Sequence, residues 1–130
     1  MSISNIQAMM DGLSAEWQKE RAATQMTLGK LIAALEVMQS NALIQGINSP
    51  HSYRGYYFDL AFETDDKPME VREVLKMCKD AMGQVFEGYK GGDFVMGALT
   101  PVWIAGYGCC GVKIMGIDAN GTFITAEDQF

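Results

Sequence analysis

The chain has 130 residues, 48% of them hydrophobic, and a formal net charge of −6. That length supports one domain with a real core and leaves too little for two. The acidic balance argues against a DNA- or RNA-binding protein, which tracks a polyphosphate backbone with many lysines and arginines; a small phosphorylated ligand needs far fewer cations.

The N-terminus shows no charged start followed by an apolar run and a cleavage site, and no stretch is long and apolar enough to cross a bilayer. Cys78, Cys109 and Cys110 are an odd number without Cys-x-x-Cys spacing, which suits neither a disulfide framework nor a zinc clip. The expected compartment is a reducing cytoplasm.

Residues 4–21 read as a helix: Ser4 with Gln7 forms a capping box, and Ile6, Met9, Met10, Leu13 and Trp17 make one apolar stripe. A second helix follows, with Thr27 as N-cap and Leu28, Leu31, Ile32, Leu35 and Met38 at helical spacing. Ala42 to Ile47 is a short apolar run, and Asn48-Ser49-Pro50 a turn cluster. Tyr56, Phe58, Leu60 and Phe62 then alternate with Tyr57, Asp59, Ala61 and Glu63 as a strand with one buried face. Asp65-Asp66-Lys67-Pro68 reads as a polar turn whose proline suits a first helical position. A third helix follows, carrying Val71, Val74, Leu75, Cys78 and Met82 and ended by Gly83.

Beyond Gly83 the chain turns glycine-rich and β-like, with strand candidates at Phe94 to Met96, Val102 to Tyr107, Val112 to Asp118 and Thr122 to Thr125. Asn120-Gly121 signals a tight hairpin between the last two. The predicted fold is therefore α+β: a single domain with a largely antiparallel sheet, two N-terminal helices and one further helix. Residues 1–26 form the N-terminal helical element, a candidate for oligomerisation, and 27–130 the ligand-binding domain.

Catalytic apparatus is not evident. His51, the single histidine, sits beside Pro50 without a nucleophile motif, and no His/Cys/Asp/Glu spacing resembles a metal triad. Cys109-Cys110 lies between glycines, and adjacent cysteines bridge only with strain, so a redox pair is a minor alternative to two small structural residues. No catalytic residue, metal or cofactor is expected.

Two segments stand out instead. Tyr53-Arg54-Gly55-Tyr56-Tyr57 and Gly88-Tyr89-Lys90-Gly91-Gly92 each combine rings, one cation and glycine. Glycine lets backbone N–H groups approach an anion, the cation neutralises phosphate, and tyrosine offers a face for a base. Singly, each is outweighed by a plainer reading, an exposed glycine turn or an edge arginine. Together with Thr100-Pro101-Val102-Trp103 and Gly106-Tyr107-Gly108 they supply the parts of a nucleotide pocket. The candidate ligand-binding residues are Tyr53, Arg54, Gly55, Tyr89, Lys90, Gly91, Gly92, Trp103 and Tyr107.

The ordered runs from Ser52 to Phe62, Phe86 to Met96 and Thr100 to Ala105, with Tyr107-Gly108, resemble the first described Thoeris anti-defence family of phages. The resemblance runs from Thr27 to Ile117 and leaves the first helix uncovered. It implies a sponge that sequesters cyclic ADP-ribose isomers in the cytoplasm of an infected bacterium without degrading them. It also implies a dimer-based homo-oligomer, extending to a hexamer, and a separate site for cyclic di- or trinucleotides in some members. Arg54 would then pair with the pyrophosphate, and Tyr53, Tyr89, Trp103 or Tyr107 would stack on the adenine. Two rival readings are a nucleotide-processing enzyme, which lacks a convincing general base, and a protein-interaction module in which the aromatic residues form an interface.

Overall fold

Thr27 opens the first helix of the computed structural model, which describes residues 25–53, 56–88, 91–105 and 111–127. Its hydroxyl accepts the Lys30 N–H at 3.3 Å, satisfying one of the donors that a helix start leaves unpaired. Helix α1 (Leu28–Glu36) buries Leu28, Leu31 and Leu35, the stripe expected from spacing. Strands β1 (Leu43–Tyr53) and β2 (Tyr56–Glu70) follow as a long hairpin, and β2 leads directly into α2 (Val71–Ala81). The Glu73 carboxylate accepts the Glu70 N–H at 3.0 Å at the start of α2. Gly83, with φ +79°, turns the chain away after its end.

The remaining strands are short: β3 (Val85–Glu87), β4 (Asp93–Val95), β5 (Val102–Ile104), β6 (Val112–Ile117) and β7 (Phe123–Glu127). The main sheet has the order β1-β2-β5-β6-β7, and β3-β4 form a separate two-stranded ribbon. β2 and β5 pair parallel through Leu60–Val102, Ala61–Trp103 and Phe62–Ile104, while the other pairs are antiparallel.

Side chains alternate across the sheet, so each strand feeds two faces. Leu60, Phe62, Val102, Ile114 and Phe123 join Leu28, Leu31, Leu35, Val71, Val74 and Cys78 in the main core beneath both helices. Tyr53, Ala61, Trp103 and Ala105 form a second buried cluster on the opposite face.

The α+β prediction is corrected. Strands account for 51% of the structure, and only α1 and α2 are helical among the described residues, against three helices predicted with two at the N-terminus. The predicted helix at 4–21 lies outside the described residues. Sheet gains where turns were expected. Asn48-Ser49-Pro50 sits within β1 at a shift of register, with Ser49 at φ +50°. Asp65 to Pro68 lies within β2 at a second irregularity, where Ile44 and Gly46 are adjacent partners of Met69 and Asp65. Proline has no N–H to give a ladder, so both prolines fall where pairing is interrupted. Pro68 therefore precedes α2 within a strand rather than opening the helix.

Strand β3 was not foreseen. The Asn120-Gly121 hairpin is present between β6 and β7, closed by Asp118, whose carboxylate accepts the Asn120 and Thr122 N–H groups at 2.9 Å each. Gly121 has φ +81°, the conformation that favours glycine there.

Candidate functional site

Tyr53 and Tyr56 face each other as the last ladder pair of the β1–β2 hairpin. Arg54 and Gly55 stand between them in sequence and lie outside the described residues, as do Tyr89, Lys90 and Tyr107. The residues that flank these three segments are described.

On one side, the Tyr53 ring stacks on Trp103 of β5, centroids 4.3 Å apart and planes 15° from parallel. The Trp103 indole N–H donates to Asp59 Oδ2 at 2.7 Å, and Trp103 and Asp59 are both fully buried. The Tyr53 hydroxyl accepts the Gly111 N–H at 3.0 Å. A Cβ on Gly111 would lie 2.8 Å from the Tyr53 ring, so that backbone passes directly against the aromatic edge. Tyr53 thus joins the hairpin end to the connection between β5 and β6, which carries Tyr107.

On the other side, Tyr57 stacks on Phe94 with centroids 5.1 Å apart, and Phe58 meets the same ring edge-on at 4.8 Å. A Cβ on Gly88 would fall 2.7 Å from Phe94 and 3.1 Å from Tyr57, so only glycine fits between the rings. Gly91 and Gly92, at φ +91° and +86°, close the β3–β4 turn; Gly91 N–H donates to Gly88 O, and Gly88 N–H to Gly92 O, both at 2.9 Å. The Ser52 hydroxyl, donating to Tyr57 O at 2.8 Å, ties the two sides together.

The flanks of the Arg54, Lys90 and Tyr107 segments therefore meet at one end of the hairpin. Two of the aromatic candidates do not present ring faces to solvent: Trp103 is fully buried and Tyr53 is 6% exposed, each stacked on the other. The Gly91 N–H, a candidate anion donor, donates within its own turn. Asp59, Phe94 and Gly111 were not singled out from sequence, and Gly88 was named only as the start of its glycine–tyrosine–lysine segment. The two glycines lie in glycine-rich stretches, which is a signal; nothing in the alternation of β2 distinguishes Asp59 from a solvated acid.

Other features suit an anion less. A cleft of about 430 Å³ along α2 is lined by Glu73, Lys76, Met77, Asp80 and Phe86, and Lys76 is engaged by Asp80 at 3.0 Å. Carboxylates outnumber the ammonium there, which disfavours phosphate. His51 lies in β1 rather than in a loop, is buried, and donates from Nδ1 to Ser49 O at 2.7 Å. Among the described residues no three His, Cys, Asp or Glu side chains cluster closely enough to hold a metal ion, and no helix is long and apolar enough to cross a membrane.

No family model, curated protein or solved structure matches the chain.

Proposed function

We propose that the protein binds and sequesters a cyclic ADP-ribose-type signal, as a phage anti-defence sponge acting in the cytoplasm of an infected bacterium. The observation that carries this reading is the meeting of three segment flanks: Tyr53 and Tyr56 at the β1–β2 end, Gly88 against Tyr57 and Phe94, and Gly111 on the Tyr53 hydroxyl. The stretches between these flanks carry Arg54-Gly55, Tyr89-Lys90 and Tyr107 in sequence. Two cations and two rings in stretches whose flanks meet suit a compact ligand with a pyrophosphate and a base.

In this reading Arg54 forks onto the pyrophosphate and Lys90 adds a second positive charge. Tyr89 and Tyr107 are the better candidates for stacking on the adenine, because Tyr53 and Trp103 already stack on each other. Such a contact contributes about 1–3 kcal/mol per base. Chemistry is not part of the proposal: the ligand is held and released unchanged, without cofactor or metal. A dimer-based homo-oligomer, extending to a hexamer, and a second site for cyclic di- or trinucleotides belong to the same proposal.

The test is a thermal-shift and calorimetric screen against cyclic ADP-ribose isomers and cyclic di- and trinucleotides, followed by denaturation of the complex and mass analysis of what is released. A native-state ligand raises the melting temperature by mass action. Intact ligand after release is the expected result. Altered ligand would make the protein an enzyme, and no shift with any of these compounds would remove the binding reading.

A further inference from the structure

Helix α2 carries three cations, and each has an acid beside it. Arg72 pairs with Glu70, Lys76 with Asp80 at 3.0 Å, and Lys79 with Glu36 at 3.7 Å. Glu73 is the carboxylate of this helix left without a cation among the described residues. Its Oε2 accepts the Glu70 N–H at 3.0 Å, which orients the side chain and engages one of its two oxygens.

Glu73 also lines the cleft of about 430 Å³ beside α2. Residues 73, 77 and 81 follow one another at a spacing of four, so a carboxylate, a thioether and a methyl group stand in a row along one face of the helix. From Glu73 to Ala81 that row is about 12 Å long. Pro50, at the interruption of β1, and Phe86 of β3 extend the apolar lining. Lys76 and Asp80, on the rim, neutralise each other. The cleft therefore combines an apolar floor with one uncompensated negative charge at the end nearer the start of α2.

A concave, mostly apolar pocket of this size with few polar groups takes a small organic molecule. The unpaired carboxylate selects the sign of its charge, because it attracts a cation and repels carboxylates and phosphates. We propose that the cleft is a binding site for a monocationic organic ligand, with an ammonium or guanidinium group on Glu73 and an aromatic or alkyl body along Met77, Ala81 and Phe86. The site uses none of the stretches invoked for cyclic ADP-ribose and stands without that reading.

The test is an NMR titration of the full chain with phenethylammonium, with phenethyl alcohol as the uncharged analogue and phenylpropionate as the anion. The cation is expected to give saturable shifts at the Met77 and Ala81 methyl groups and the Gln84 amide. The alcohol should bind about tenfold more weakly, the scale of one charge-assisted hydrogen bond, and the anion should give no shift at these groups. Glu73→Gln removes the charge and keeps an acceptor for the Glu70 N–H, so the start of α2 is retained. In that variant the cation should fall to the affinity of the alcohol. No saturable shift with phenethylammonium, shifts confined to residues outside the cleft, equal affinity for all three probes, or a cation preference that survives Glu73→Gln would each overturn the site.

Discussion

The Cys78 thiol faces the main core from α2, and burial pushes its pKa from 9.0 up to about 12. The unfolded chain loses that proton first, so above pH 9 it binds fewer protons than the native state and stability falls as pH rises towards 12. The decline from this one group approaches about 1.4 kcal/mol per pH unit. Denaturant titrations at pH 8 and pH 10 should show a steeper loss for the parent than for Cys78→Ala, and Cys78 should resist alkylation at pH 8 until the protein is unfolded. Equal pH slopes for the two proteins would contradict the burial argument. Arg54 gives a second prediction at this scale. If it forks onto a pyrophosphate, Arg54→Ala abolishes calorimetric binding of cyclic ADP-ribose isomers and leaves the melting temperature within a few degrees; retained tight binding would remove Arg54 from the site.

Strand β2 shows how local signals yield to pairing. The turn chemistry of Asp65 to Pro68 is genuine: the Lys67 backbone N–H and the Asn48 side chain both donate to Asp65, holding its carboxyl below its ordinary pKa. Those bonds shape a bulge inside a strand instead of ending it, because β1 continues alongside and supplies partners on both sides. The single buried face expected of the strand from Tyr56 to Glu63 was not borne out, because Asp59 and Ala61 are as fully buried as Leu60 and Phe62. The strand itself was legible, as were the Thr27 cap, the two helical stripes and the Asn120-Gly121 hairpin, since each depends on residues close in sequence. The parallel join of β2 to β5 and the stacking of Tyr53 on Trp103 were not, because they link positions far apart in the chain and no local period encodes them. Gly46 tests the bulge: a Cβ there would run into the Lys67 carbonyl, a backbone atom that cannot swing aside. Gly46→Ala should therefore destabilise the domain by about 1–3 kcal/mol in urea denaturation, and an unchanged midpoint would show that the bulge gives way.

For the whole molecule, the apolar stripe of Ile6, Met9, Met10, Leu13 and Trp17 precedes a domain whose described part already has two helices over its main core. If that stripe joins dimers into a larger assembly, deleting residues 1–22 lowers the light-scattering mass while the thermal transition persists; an unchanged mass would assign the stripe elsewhere. If the protein sequesters a ligand as proposed, such an assembly raises the number of sites per particle, not the affinity of each. The parallel contact of β2 with β5 has a different consequence, for how the chain finds its shape. It divides the sheet into a hairpin, β1–β2, and a meander, β5–β6–β7, each made of neighbours in sequence and able to zip from its own turn. The two halves meet along only Leu60–Val102, Ala61–Trp103 and Phe62–Ile104, with α2 and the β3–β4 ribbon in the intervening chain. Closing that long loop carries an entropy cost that short-range pairing does not, so the seam is expected to form after the two halves.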